Sequence, residues 1–416
     1  MAAAPAPKLR TMWRRSSTTG ALIVVLLYAC ALASPAGGAP HAHRGSAGPV
    51  PQGFVGMVVD GPVWPDPFID LDQQLDAMVA SGVQSLRVVF PWYAAQPYKS
   101  WSQVPSAQRS MFVNAAGVPT NFSAFDQIVS GAAARGLQLL PVVLGAPKWD
   151  GIKRKGGLVE IPRSDAPFAA FLKVLVKRYG PHGSMWGKVP ASHRRPIRMW
   201  QVWNEPNIFP FWPVLPWPRG YVALLKAAHD AIKSVDPKAK VVLAGMPNFS
   251  WLDLGRIYKI RGARALFDVV AVHPYTKNPG GVITILHFVR QQMDRNGDAG
   301  KPLIADEISW PSSAGETTHD TGYDFATTQS GQAHNLGKVL PLLVRDRRAL
   351  NLMGFYYYDW AGQERPNYLA FDFAGLFRLS DGKFIAKPAY AVFQRAALAM
   401  EGCRAKGRTA SDCVRG

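Results

Sequence analysis

Ile197-Arg198-Met199-Trp200-Gln201-Val202-Trp203-Asn204-Glu205-Pro206-Asn207 is a short apolar run, rich in strand-forming side chains, that ends abruptly in polar residues. A second run of the same design stands downstream, Pro302-Leu303-Ile304-Ala305 followed by Asp306-Glu307-Ile308-Ser309-Trp310. Working outward from these two, similar runs occur at 54–59, 85–90, 138–144, 241–244, 267–272 and 352–358, so that with 197–203 and 302–305 the strand candidates number eight. Stretches with helical periodicity lie between or after them, at 71–80, 125–135, 167–179, 221–235, 283–296, 327–345 and 389–400. Gly82, Gly136 and Asp236-Pro237 mark helix ends. Strands alternating with helices are parallel βα units, and eight of them close a (β/α)8 barrel, an α/β fold. The longest insertions, 93–121, 148–164 and 208–218, follow strands two to four and are rich in Trp and Tyr. In such a barrel they belong to the C-terminal face, where loops carry function.

The domain boundaries follow from composition. Lys8, Arg10, Arg14 and Arg15 precede the apolar run Ala21 to Cys30 and then Ala31-Leu32-Ala33, the three-part pattern of a secretory signal peptide, so residues 1–33 are expected to be removed and the protein secreted. The run is short of the roughly 20 apolar residues that span a bilayer, and no integral membrane segment is expected after cleavage. Leu27-Tyr28-Ala29-Cys30 offers a competing reading, a lipid-anchored Cys30. Residues 34–52 read as a flexible linker rich in Gly, Pro, Ala and His, 53–400 as the catalytic barrel and 401–416 as a tail. A loop or short hairpin is expected in 367–384. With the leader gone, Cys403 and Cys413 are left facing an oxidising compartment, where a disulfide between them would pin the C-terminus. The 47 basic residues against 28 acidic ones give a net charge of +19, or +15 after subtracting the four basic residues of the leader. Such a balance favours anionic partners such as acidic polysaccharide or a cell-wall surface. The basic residues are scattered, so nucleic acid is not the expected partner.

Barrel enzymes carry their reactive groups at the C-terminal ends of strands, which singles out Glu205 after strand four and Glu307 after strand seven. Two facing carboxyl groups are what glycosidic bond cleavage requires, one protonated to release the leaving oxygen and one ionised to attack or to stabilise the oxocarbenium-like transition state. Trp203-Asn204-Glu205-Pro206, Glu307 followed by Trp310, His273-Pro274-Tyr275 after strand six, Arg87 in strand two and Trp360 after strand eight together resemble glycoside hydrolase clan A. Within it, the Trp-Asn-Glu-Pro-Asn stretch looks most like the β-xylosidase and α-iduronidase family 39, with the cellulase family 5 close behind. The resemblance runs from about Gly53 to Trp360. It implies a retaining glycosidase without cofactor or metal, with Glu205 as acid/base and Glu307 as nucleophile. It also implies that Asn204 bonds the sugar 2-hydroxyl, that Tyr275 contacts the nucleophile and that His273 bonds substrate. Arg87 would keep the nucleophile ionised, and Trp360 would be the aromatic floor of the sugar subsite. Asp306 departs from the clan pattern, which has a small or hydroxyl residue there. Because neighbours on an extended strand point to opposite sides, Asp306 is expected to face away from the site.

The expected function is hydrolysis of O-glycosidic bonds in an oligo- or polysaccharide by double displacement. Two other readings use the same residues: a transglycosylase, in which a second sugar replaces water, and a catalytically silent glycan-binding barrel. Trp92, Trp149, Trp212, Trp217 and Trp310 stand as candidates for sugar subsites or for loop anchors.

Overall fold

The computed structural model describes residues 49–59, 69–316, 324–364 and 369–415. The leader at 1–33 with Cys30, and the linker as far as residue 48, lie outside the described residues, as do Asn367 and Tyr368 of the 367–384 segment.

All eight expected strands are present: β1 (Val55–Val58), β2 (Ser85–Pro91), β3 (Gln138–Leu144), β4 (Met199–Val202), β5 (Lys240–Val242), β6 (Val270–Val272), β7 (Leu303–Ile308) and β8 (Leu352–Tyr357). They pair side by side in the order β6-β7-β8-β1-β2-β3-β4-β5. A parallel bridge between Val242 and Val269 joins the two outer members and closes the ring. A ring of parallel strands with every edge paired is the (β/α)8 barrel read from the sequence.

The helices of the outer layer are α1 (Leu71–Ala80), α2 (Ser123–Ala134), α3 (Asp165–Tyr179), α4 (Trp217–Lys233), α5 (Ser250–Tyr258), α6 (Pro279–Arg295), α7 (Gln329–Asp346) and α8 (Pro388–Glu401). Gly82 and Gly136, at φ of +90° and +67°, close α1 and α2 in the left-handed conformation that glycine adopts without strain. Helices α4 and α6 begin four residues before their expected starts because their first turns hold Pro218 and Pro279, which favour a helix start yet add nothing to an apolar period. Helix α5 has no counterpart in the sequence reading. It is only nine residues long, and Leu252 exposed on its outer side blurs the one-sided pattern.

Alternate residues of each strand divide between two cores. Outward-facing Leu86, Val88, Trp200 and Val202 join Leu75, Phe168, Tyr221 and Leu224 of the helices in the layer between barrel and helix ring. Burial of each such large side chain contributes about 1.5–3 kcal/mol. Inward-facing Val58, Leu140, Val242, Ile304 and Tyr356 fill the lower barrel, which is thereby a packed core and no channel. Above this apolar plug the inward positions turn polar, with Arg87 on β2, Gln201 on β4 and Asp306 on β7 all buried.

The segment after β8 forms the hairpin Phe377–Ser380 and Lys383–Ala386 before α8. The tail is an ordered clip. Its strands Ala405–Lys406 and Cys413–Val414 pair antiparallel, and Cys403 is disulfide-bonded to Cys413 across a separation of ten residues. Closing so short a loop contributes about 2–3 kcal/mol in the chain-entropy account. The clip docks under the barrel, where Ala410 N donates to Arg135 O and Glu401 accepts from both Gln84 Nε2 and Lys406 Nζ. Among the described residues no helix is long and apolar enough to cross a membrane.

Candidate active site

The polar layer at the top of the barrel gathers residues from β2, β4, β6 and β7. The turn after β4 carries Trp203 and Glu205 at φ of +72° and +43°, left-handed conformations that non-glycine residues rarely adopt. Neighbouring strands enforce the turn, because Trp203 N donates to Val143 O and Glu205 N to Gly245 O. Its effect is to swing both Asn204 and Glu205 inward, each left with about 8% exposure. Arg87 reaches up from β2 and spreads its guanidinium over three partners: Nε donates to Gln201 Oε1 at 2.8 Å, Nη1 to Glu307 Oε1 at 2.7 Å and Nη2 to Asn204 Oδ1 at 2.7 Å. Because the Asn204 carbonyl is used, its amide nitrogen is the end left to donate toward a ligand.

Glu307 Oε2 accepts from Tyr275 O–H at 2.5 Å, so both oxygens of this carboxylate are held by donors. His273 Nδ1 lies 2.7 Å from Glu205 Oε1 and 3.4 Å from Glu307 Oε2, bridging the pair. Burial works against a charged imidazole, but Glu307, Asp306 and Glu205 outweigh it and push His273 up to about 10. Burial also raises Glu205 above the usual carboxylate range, and the neighbouring Glu307 adds to that, while His273 and Arg87 oppose it without cancelling it. The result is one carboxyl biased toward its protonated form beside another fixed by an arginine and a phenol. Glu205, His273 and Glu307 each offer an atom within 4.8 Å of the others, a spacing at which three donors can hold a metal ion. A doubly protonated His273 would offer no Nδ1 lone pair to a metal there.

Asp306 is not where the sequence reading puts it, for it continues the inward alternation of Ile304 on β7. It is fully buried inside the barrel, its Oδ2 accepting from Gln201 Nε2 at 2.6 Å and lying 3.2 Å from Arg87 Nε and 3.4 Å from His273 Nε2. The residue that breaks alternation is Glu307, which a bulge turns inward as well: between its pairings with β8, β7 advances three positions from Ala305 to Ile308 while β8 advances two from Phe355 to Tyr357. The extra residue lets Asp306 and Glu307 both face inward, one below the other, which overturns the expectation that only one could. Burial disfavours ionisation of Asp306, yet the charges of His273 and Arg87 hold its carboxyl below the ordinary range.

Trp360 also departs from its expected place. It is fully buried, packed against Phe377 and Tyr390 with its indole N–H donated to Gln74 of α1, and it presents no face to a ligand. Its backbone N donates to Val58 O, which draws the residue back behind β1. The aromatic at the mouth is instead Tyr358, half-buried and edge-on to Phe371, which in turn meets Tyr275 and the Phe325 stacked on it. Tyr358 ends the expected strand 352–358, so the rule of strand ends applied to that residue finds it. Gln201 and Gly245 had no such signal, because nothing in one sequence tells an inward glutamine or glycine from any other. Among the candidate tryptophans, Trp92, Trp212, Trp217 and Trp310 are buried anchors and Trp149 is partly open. A groove of about 380 Å³ beside Val113, Phe122, Lys173 and Lys177 lies on the outer helical layer, away from the carboxylates.

No protein-family profile matches the chain, and no curated protein is similar to it in sequence. Solved structures do share its fold. A family 39 glycoside hydrolase from the gut symbiont Bacteroides cellulosilyticus superposes with a TM-score of 0.60 at 19% identity, over 84% of this chain and 64% of that one. A monomeric β-xylosidase from Caulobacter crescentus gives 0.58 at 18% over 85% and 69%, and a glucosidase from Croceicoccus marinus 0.59 at 17% over 86% and 69%. The chain spans less than two thirds of the first of these and slightly more of the others. At such identities the likeness is one of fold, and it matches the clan A barrel that the sequence motifs resemble.

Proposed function

We propose that this chain is a glycoside hydrolase that cleaves O-glycosidic bonds with retention of configuration, with Glu205 as acid/base and Glu307 as nucleophile. The observation that carries the reading is the paired carboxylates at the barrel mouth, one oxygen of each within 4.8 Å of the other, with burial biasing Glu205 toward its protonated form. Inverting enzymes hold the two groups about 6.5–9.5 Å apart to admit a water between them, and retaining ones about 5–5.5 Å apart. The neighbouring folds include hydrolases described as a family 39 enzyme, a β-xylosidase and a glucosidase, which makes β-linked pyranosides the first substrates to try.

In the first step Glu205, kept protonated by burial, gives its proton to the leaving glycosidic oxygen while Glu307 attacks the anomeric carbon. Arg87 and Tyr275 aim the attacking carboxylate, and the Asn204 amide donates to a sugar hydroxyl beside the broken bond. In the second step Glu205, now ionised, takes a proton from water as that water displaces Glu307. The leader supports export, and the charge distribution supports an anionic polysaccharide or wall polymer as a partner. Arg198, Lys238, Lys240, Arg261, Arg348 and Arg404 are exposed at or beside the N-terminal ends of the strands and make no ion pair among the described residues. Acids before β6, β7 and β8 at the same end are paired with other cations: Asp268 with Lys233, Asp298 with Lys301 and Asp346 with Arg345.

The test is hydrolysis of a panel of aryl β-glycosides and polysaccharides, with the first-formed product anomer read by NMR, alongside Glu205→Gln and Glu307→Gln. Retained configuration and a loss of about 10³-fold or more in both variants are expected. An inverted product, or Glu307→Gln as active as the parent, would overturn the assignment.

A further inference from the structure

Two buried polar atoms in this site have no hydrogen-bond partner among the described residues, His273 Nε2 and Asp306 Oδ1. They face the same point, because a methyl group built on Gly245 would overlap His273 Nε2 and sit 2.7 Å from Asp306 Oδ1. Buried polar atoms are rarely left unpaired, and an uncompensated charge in a dry interior costs several kcal/mol. Asp306 has no part in the two-step scheme above. It is nonetheless completely buried inside the barrel, beside the bulge that turns Glu307 inward as well. A fully buried carboxylate beneath the pair of Glu205 and Glu307 calls for a role.

The charges around it supply one. His273 faces Glu205 from the turn after β4, Glu307 and Asp306 from β7 and the Tyr275 ring from its own segment, and Arg87 of β2 meets the same Glu307 and Asp306. Asp306 in turn faces Arg87, Gln201 and His273, with the Tyr221 and Tyr356 phenols near. With Glu205 protonated, Arg87 and His273 bring two positive charges into the buried layer, and Glu307 supplies one negative. Asp306 is the second. Its contact at 3.4 Å is long for a hydrogen bond and acts as a charge contact from below, while the Nδ1 proton on the opposite side of the ring points up between the two carboxylates.

We propose that Asp306 is a positioning residue, a buried counter-charge that keeps His273 as an imidazolium with its Nδ1 proton directed between Glu205 and Glu307. The inference deepens the glycosidase reading and rests on it for its consequence, but the protonation of His273 is measurable without any substrate. When Asp306 is neutral, His273 loses its proton more readily, Nδ1 can become an acceptor, and Glu205 and Glu307 lose the shared donor that holds them apart in role.

The test is the titration of histidine ring nitrogens by NMR in the full chain labelled with ¹⁵N-histidine, His273 being assigned through His273→Asn. In the parent, His273 is expected to stay doubly protonated through neutral pH and to titrate near 10. In Asp306→Asn, which keeps shape and the Gln201 contact, the midpoint is expected to fall by about 1–3 units, and the alkaline limb of the hydrolysis profile to move with it. A parent His273 that titrates near its ordinary value would overturn the proposal without any variant. So would a folded Asp306→Asn protein whose His273 midpoint does not move. Absence of hydrolysis in the parent, with the histidine shift as expected, would instead strike at the glycosidase reading and leave the positioning role standing.

Discussion

Tyr358 and Trp360 stand two residues apart after the same strand, and only one of them can touch a sugar. Tyr358 is half-buried at the mouth beside Phe371, whereas Trp360 is sealed behind β1 with its N–H on Gln74. Stacking of a pyranose on an aromatic face is worth on the order of 1 kcal/mol, so Tyr358→Ala is expected to raise KM about fivefold, with little change in thermal midpoint. Trp360→Phe is expected to do the reverse, lowering the midpoint because it strands the Gln74 carbonyl and leaves a void, with KM unmoved. Steady-state kinetics with thermal unfolding on both variants check the pair, and a KM effect at Trp360 would reverse the assignment. The meeting of Glu205 and Glu307 at the barrel mouth was legible in the sequence because each stands at the end of a strand of clear pattern. Trp360 was misread because the chain bends back after Tyr358, and no residue pattern marks that bend. Asp306 was misread for the same kind of reason, since a bulge changes which residues face inward and leaves composition untouched.

At the scale of the element, the site depends on β5 and β6 coming close to β7, and Gly245 is where that closeness is decided. The residue follows β5, its carbonyl holds the Glu205 backbone, and any side chain there would be driven into His273 and Asp306. Gly245→Ala therefore adds one methyl group and removes no polar atom, yet it must push the imidazole away from one or both of its charge contacts. Overpacking of this kind costs about 1–3 kcal/mol, and the expected result is a lower thermal midpoint together with a His273 titration displaced from that of the parent. If circular dichroism and the histidine titration both matched the parent, the close approach would have no part in setting the network. The strand count and the helix ring were readable because their periods are long and regular. Helix α5 was not, being nine residues with an apolar residue on its solvent side.

At the scale of the whole molecule, a group of exposed cations and the proposed chemistry occupy opposite ends of the barrel. Glu205 lies just beyond the C-terminal end of β4 and Glu307 at the C-terminal end of β7, while Arg198 and Lys240 sit at the N-terminal ends of β4 and β5, where Lys240 N donates to Arg198 O. Arg348 precedes β8 at the same end. Exposed charges separated by more than about 8–10 Å are screened from one another at physiological salt, so this face acts on whatever touches it and scarcely on the catalytic groups above. The parent is therefore expected to bind an anionic polysaccharide at low ionic strength and to release it as salt rises. The triple variant Arg198→Glu, Lys240→Glu, Arg348→Glu replaces three positive charges by three negative ones. It is expected to lose most of that retention while hydrolysing a small neutral aryl glycoside at the parent's rate. Equal retention by parent and variant would mean that the charge excess is a diffuse property of the surface. Equal loss of hydrolysis would mean that the two ends are coupled through the barrel in a way that screening at this distance does not allow.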